Sequence, residues 1–285
     1  MASDNQTAAR DLLSPEYWEL AAEGWERQAK AFAQFTAPLS QRMVEEINPQ
    51  PGQLILEVGC GPAEVGLLAA ELVRPGGKVV ISDRSEQMVA AARRRAQQLG
   101  LDNVECKVLD AEWLDLPLAS VDGLLMRFVL MFLVDPEAAL RECRRVLKSG
   151  GRAAIAVWDE EGVNPWAAAV TKAVREVLPR GDGPPVRGSA FSAADRNRLA
   201  ELIEGAGFFL LGVEPVELVE RSPDLETFWQ RRVDLSPSLR ERVKGITEAQ
   251  QALLLERLGE ELAPYRQGDG SLAVPGRALL AVAEA

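Results

Sequence analysis

No histidine occurs anywhere in the 285 residues. That removes the Ser-His-Asp and Cys-His catalytic pairs and every metal site that needs an imidazole. It leaves carboxylates, lysines and two tyrosines, Tyr17 and Tyr265, for any proton transfer. Cysteine is scarce as well. Cys60, Cys106 and Cys143 form an odd, widely spaced set, which excludes a disulfide framework and a metal knuckle and points to a reducing, cytoplasmic setting. No basic run exceeds Arg93-Arg94-Arg95, and the formal net charge is −11. The chain therefore lacks the positive surface that grips a phosphate backbone, and nucleic acid is not an expected partner. The arginine triplet falls in a helical pattern and reads as a solvated face. Long hydrophobic runs are missing too: the greasiest stretch, Gly123 to Val134, is short and broken by Arg127, and the N-terminal MASDNQTAAR has no apolar segment. Neither a membrane span nor a signal peptide is expected. No cluster of three or four ligand-type residues has metal-binding spacing, so no metal is expected.

What is present is an ordinary globular composition, 47% apolar and 26% charged. Pro15 to Asn48 carries apolar residues at three- and four-residue spacing and reads as a helix, stopped by Pro49-Gln50-Pro51-Gly52. Then an alternation begins. QLILEVGCG reads as a buried strand ending in glycines, Glu64 to Leu72 as a helix, KVVISD as a second strand, and Ser85 to Leu99 as a helix capped by Ser85 and closed by Gly100. NVECKVLDAE supplies a third strand and VDGLLMRFVL a fourth. Pro136 to Leu147 is a helix, and GRAAIAVWD is a fifth strand after a Ser149-Gly150-Gly151 turn. Beyond Trp158 come a helix over Asn164 to Leu178, a Gly/Pro loop from Arg180 to Gly188 that is free to move, and a helix over Ala193 to Gly205. FFLLGVEPVELVE follows as a sixth strand whose Pro215 suits an edge. Leu225 to Tyr265 is helical, broken near Pro237 and Gly245, before a last strand at RALLAVAE.

Strands alternating with helices specify a doubly wound, mostly parallel α/β sheet. The expected organisation is a helical cap over residues 1–48, a Rossmann-like core over 49–222, a helical cap insertion over 223–270 and a last strand over 271–285. The insertion reads as a lid, a homodimer face, or both.

The chemistry concentrates at strand ends. Glu57, Gly59, Cys60 and Gly61 lie at the first strand-to-helix turn, where glycines let backbone approach a ligand. A dinucleotide fingerprint would place a small residue at position 64, and Glu64 stands there instead, a charge unwelcome beside a pyrophosphate. This disfavours a nicotinamide oxidoreductase. Asp83 ends the second strand, where a carboxylate can accept from both hydroxyls of a ribose, and Asp110 ends the third, within reach of an adenine amino group. For each acid alone, a helix cap or surface role competes with ligand contact; three acids at three successive strand ends favour a nucleoside.

ILEVGCGP, VVISD, VLDAEWLDLP and the run from Val121 to Trp158 together resemble the core of the class I S-adenosylmethionine-dependent methyltransferases, in the branch of the ubiquinone and menaquinone enzymes and many small-molecule methyltransferases. The resemblance covers Gln53 to Asp159 specifically and the flanks more loosely. It implies a seven-stranded sheet, mostly parallel with an antiparallel last strand, and S-adenosyl-L-methionine as cofactor. It also implies methyl transfer to a small-molecule acceptor by in-line displacement. A protein of the same fold that binds the cofactor without transferring methyl is the alternative.

Carried over, the methionine end of the cofactor falls to Glu57, Gly59, Cys60 and Gly61. The ribose falls to Asp83 with Arg84 and Met88 beside it, and the adenine to Asp110, Ala111 and Glu112. Arg127 and Phe128 border the sulfonium and the acceptor, against the plainer reading of a surface arginine and a core phenylalanine. Ala63 departs from the family, which often has a further glycine there. With no histidine available, Tyr17 joins Arg127 as a candidate catalytic residue. Tyr17, Trp18, Trp25, Phe228 and Trp229 are expected either to wall the acceptor pocket or simply to pack as core.

Overall fold

The computed structural model describes residues 7–178 and 186–285. The mobile Gly/Pro loop expected at Arg180 to Gly188 lies largely outside the described residues. Helix α1 (Pro15–Ile47) begins where the Ser14 side chain accepts the Tyr17 N–H, with proline in its first turn. It stops at Asn48, whose left-handed φ of 46° ends the helix before the following prolines.

Five strands and three helices follow: β1 (Leu54–Val58), α2 (Val65–Leu72), β2 (Lys78–Asp83), α3 (Glu86–Gln98), β3 (Val104–Val108), β4 (Val121–Arg127), α4 (Pro136–Val146) and β5 (Leu147–Trp158). Then come α5 (Pro165–Val177), α6 (Arg196–Gly205), β6 (Phe209–Ser222), α7 (Leu225–Leu235), α8 (Pro237–Val243), α9 (Glu248–Glu261) and β7 (Leu272–Glu284). The seven strands form one sheet in the order β3-β2-β1-β4-β5-β7-β6. All neighbours from β3 to β5 are parallel, and β7 runs antiparallel between β5 and β6. The expected Rossmann-like sheet is therefore borne out, and Pro215 sits on the edge strand β6, where a missing N–H costs least.

Two strands exceed their expected bounds for physical reasons. The Ser149-Gly150-Gly151 segment is a bulge inside β5 and not a turn before it. Val121 pairs with Leu147, and the register then jumps to Gly123 opposite Arg152. Gly150 takes φ +77° there, and its N–H donates to the Ala285 carbonyl at 2.9 Å. Strand β7 starts at Leu272, earlier than its apolar run. Its first residues pair only with the far half of β6, down to Ser222 opposite Leu272, while pairing with β5 begins at Ala278. A two-stranded arm thus projects beyond the sheet and carries α7, α8 and α9 between its ends.

Two cores result. The main one spans both faces of the sheet and takes in Phe32, Phe35, Leu39, Met43, Val44 and Ile47, so the second half of α1 packs as part of the core layer. A smaller one gathers Val170, Val174, Phe228, Trp229, Leu254, Leu258, Leu272 and Val274 from α5, α7, α9 and the arm.

Candidate functional site

β1 and β4 are neighbours although β2 and β3 intervene in sequence, and at such a switch point an open α/β sheet leaves a crevice at its carboxyl edge. A cavity of about 500 Å³ opens there, roofed by α1, α5, α7 and α8. It takes in the strand-end residues Glu57, Gly59, Cys60, Gly61, Asp83, Arg84, Met88, Ala111, Arg127 and Phe128 that the sequence singled out.

The glycine turn is built by backbone strain and tight contact. Gly59, Gly61 and Ala63 all have positive φ, +66°, +55° and +55°. A Cβ at Gly59 would lie 2.2 Å from a Val129 methyl, so only glycine fits. A Cβ at Gly61 would meet nothing within 4 Å, which leaves the cavity side of that residue open to a ligand. Ala63 adopts the conformation for which glycine is preferred, and its carbonyl accepts from Arg95 Nη1. Arg95 also lines the cavity, so the arginine triplet is not wholly a solvated face: Arg93 and Arg94 are exposed and Arg95 is not.

Asp83 braces this turn. One carboxylate oxygen accepts the Gly61 N–H at 2.9 Å and the other the Ser85 N–H at 3.0 Å. A carboxylate offers about four lone-pair directions, so room is left for two hydroxyl donors. Burial raises its pKa, and the two backbone N–H groups hold the rise down. Glu57 is 2% exposed, and its Oε2 accepts the Gly66 N–H at 3.0 Å. Burial pushes its pKa up to about 7, against the opposing pull of Arg127 and the Gly66 N–H. Burial likewise raises the Cys60 thiol, which stays neutral.

Arg127 is not a surface arginine. Its Nη1 donates to Thr36 Oγ1 at 2.6 Å, Ser40 Oγ at 2.7 Å and Glu64 Oε2 at 2.7 Å, and its guanidinium lies 5.5 Å from the Phe32 ring centre. The pairing also changes the meaning of Glu64. Its charge is balanced by Arg127, so electrostatic repulsion of a phosphate is weaker than the sequence implies, and the missing small residue carries the argument. Thr36 and Ser40 were not anticipated. They are fully buried, four residues apart on an otherwise apolar helix face, and that break in the stripe was the available signal. Phe128, at φ +59°, stacks its ring on Trp158 with centroids 4.0 Å apart and planes 9° from parallel.

The third strand end divides. Leu109 and Ala111 line the cavity, whereas Asp110 and Glu112 do not. Asp110 is exposed and accepts the Glu112 N–H, and the Glu112 carboxylate accepts the N–H groups of Val134 and Asp135. The aromatic residues divide too: Tyr17, Trp18 and Trp25 face the cavity, but Phe228 and Trp229 pack in the second core. Tyr17 is 3% exposed, beside Ser236 and Ser238. Burial raises its phenol, while those serines and Arg240 oppose the rise, so at neutral pH it is a hydrogen-bond donor and not a base. Trp158, Trp166 and Arg232 complete the cavity wall from positions that no local motif marked.

Residues 49–198 match the family described as "Methyltransferase domain". The match covers more than half of the chain, and the chain belongs to that family. Among individual proteins, it is 34% identical over 121 residues to the aklanonic acid methyltransferase DauC of Streptomyces sp. (strain C5), covering 42% of this chain and 55% of that protein. It is 32% identical over 130 residues to the ubiquinone/menaquinone biosynthesis C-methyltransferase UbiE of Escherichia coli, covering 45% and 52%. The chain therefore spans about half the length of these relatives. Among solved structures, the [4+2]-cyclase SpnF shares the fold, with TM-score 0.52 at 19% identity over 92% of this chain and 94% of that one. The expected class I methyltransferase resemblance is thereby borne out in family and in fold. Among the described residues no helix is long and apolar enough to cross a membrane.

Proposed function

We propose that this chain is an S-adenosyl-L-methionine-dependent methyltransferase that acts on a flat, apolar small molecule. One observation carries the reading: a single cavity joins a glycine-built pocket holding Glu57 and Asp83, at the ends of β1 and β2, to an aromatic chamber roofed by helices. The donor set fits the cofactor. Asp83 keeps acceptor capacity for ribose hydroxyls, Glu57 and Cys60 line the open space before Gly61, and Arg84 and Met88 flank them. Adenine would lie toward Ala111, with Asp110 and Glu112 at the rim. S-adenosylmethionine, when bound, supplies a methyl group already activated on a positive sulfur, so the chain's task is alignment.

Alignment falls to rigid groups. Arg127, anchored by Thr36, Ser40 and Glu64, fixes α1 over the end of β4. Phe128 and Trp158 offer a stacked pair against which a planar acceptor can lie, and Trp166 stands 4.8 Å from Trp158. The aromatic wall also excludes water from a cationic centre. Tyr17 enters as a hydrogen-bond donor that orients the acceptor, and Arg127 as a positioning residue.

A cytoplasmic setting, with the three cysteines free, and an acceptor that is not nucleic acid complete the reading. Light scattering on the purified chain decides between a monomer and the homodimer that the helical insertion would suit. Incubation with S-adenosylmethionine and a panel of planar acceptors tests the reaction. S-adenosylhomocysteine should accumulate together with a product heavier by one methylene. Cofactor binding without S-adenosylhomocysteine under any acceptor would favour the non-transferring alternative, for which the shared fold of a cyclase leaves room.

A further inference from the structure

The chain carries a formal charge of −11, yet among the described residues the carboxylates lining its cavity lie at one end alone, where Arg84, Arg95 and Arg127 stand beside them. The three lining carboxylates, Glu57, Glu64 and Asp83, all belong to the glycine-turn end. Among the described residues, the helical end is lined by Arg175, Arg232 and Arg242 and by no carboxylate.

Arg232 is the informative one. It is 7% exposed and packs over the Trp166 ring at 5.2 Å and the Phe228 ring at 5.1 Å. Its ion-pair partner is Glu220 on the β6 arm, fully buried, but that carboxylate is shared. Arg231 Nη1 reaches the same Glu220 oxygen at 2.7 Å as Arg232 Nη2 does. Two cations therefore divide one anion, and the buried triad keeps one net positive charge. The nearby Asp234 does not neutralise it, since its carboxylate is taken by Arg27, Gln28 and Gln230. The hydrogen bonding is incomplete as well. Glu220 Oε2, Arg231 Nε and Arg232 Nε are sealed from solvent without partners, and Arg232 Nη1 makes no hydrogen bond among the described residues. A buried unbalanced charge is unfavourable unless something answers it, and Arg232 faces the large cavity. Arg175, exposed on α5 and likewise lining the cavity, has no ion-pair partner among the described residues.

We propose that the acceptor bears a single anionic group, a carboxylate on a flat apolar skeleton, and that Arg232 receives it at the end of the aromatic wall. The inference rests on the methyltransferase reading for what the ligand is used for, and it specifies the ligand's class. A monoanion matches the single net charge of the buried triad. The apolar skeleton matches the succession Phe128, Trp158, Trp166, with ring centres 4.0 and 4.8 Å apart, that leads from the end of β4 to Arg232. The carboxylate here is an anchor that selects and orients the molecule, and a planar guanidinium is suited to hold it by two hydrogen bonds.

The test uses matched probes. 2-Naphthoate and 2-naphthamide, then anthracene-2-carboxylate and its amide, are titrated into the full chain by tryptophan quenching, with and without S-adenosylhomocysteine. Each acid should bind about tenfold or more tighter than its amide at low salt, and the preference should shrink as salt is raised. Arg232→Gln leaves Arg231 and Glu220 as a balanced pair. It should erase the preference while amide and S-adenosylhomocysteine affinities stay unchanged. Equal affinity of acid and amide in the unaltered chain, no binding of any acid, or a preference that survives Arg232→Gln would each overturn the inference. The comparison within the unaltered chain holds even if the variant fails to fold. Failure of S-adenosylhomocysteine to bind would instead strike the methyltransferase reading, and the same titrations separate the two.

Discussion

The two ends of the cavity are made in opposite ways. The glycine-turn end is a local construction: residues 57–64 and 83–88 are two short runs, each at a strand end, and their backbone N–H groups and carboxylates organise one another. The helical end is assembled from distant pieces, with Tyr17 and Trp25 from α1, Trp158 from the end of β5, Trp166 from α5, and Arg232 from α7. It is held by contacts between residues far apart in sequence, such as Trp25 Nε1 donating to the Leu235 carbonyl at 3.1 Å. A strained, self-bonded turn tolerates little change and suits an invariant ligand. A wall of separate side chains can be re-cut for a different acceptor without disturbing the turn.

Arg127 lies between the two ends, and its loss should have the largest effect. Arg127→Met leaves Glu64 buried without its cation, which should destabilise the fold by about 3–5 kcal/mol in chemical denaturation. Adding Glu64→Gln should recover much of that loss. If the single variant is as stable as the parent, Arg127 does not brace the site.

Glu57 gives the next effect, and its sign follows from its raised pKa. A carboxyl at 4.5 when unfolded and about 7 when folded favours the folded state in its protonated form. Its contribution is fully present below pH 4.5, erodes as pH rises, and is gone above about 7. Glu57→Gln lacks that titration, so relative to the parent it should gain stability between pH 5 and pH 8, on the order of 2–3 kcal/mol. Parallel pH profiles of the two proteins would contradict the burial argument.

Ala63 gives the smallest effect. Ala63→Gly should relieve a left-handed alanine and raise stability by about 1 kcal/mol in thermal unfolding. A loss would mean that the turn depends on the stiffness of alanine.

The same contrast decides what the sequence could say. The sheet was legible because apolar runs such as LILEV and KVVISD end in turn residues, and the glycine turn was legible because its function sits in consecutive positions. The β5 bulge was not, since Ser149-Gly150-Gly151 has the composition of a turn and only pairing with Ala285 and β4 makes it a strand. Asp110 and Glu112 illustrate a motif that locates a strand end without fixing which side chain faces the cavity: Ala111 faces it, while the two acids serve the loop. Trp166 and Arg232 stayed hidden because tertiary packing alone brings α5 and α7 over the sheet.

The central claim is that cofactor binding belongs to the turn and acceptor binding to the helical wall. Calorimetric titration with S-adenosylhomocysteine of the unaltered chain, Asp83→Asn and Trp166→Leu tests it directly. The unaltered chain should bind, Asp83→Asn should lose about tenfold or more, and Trp166→Leu should bind as the parent does. Equal losses in the two variants, or no binding by the folded unaltered chain, would contradict the claim.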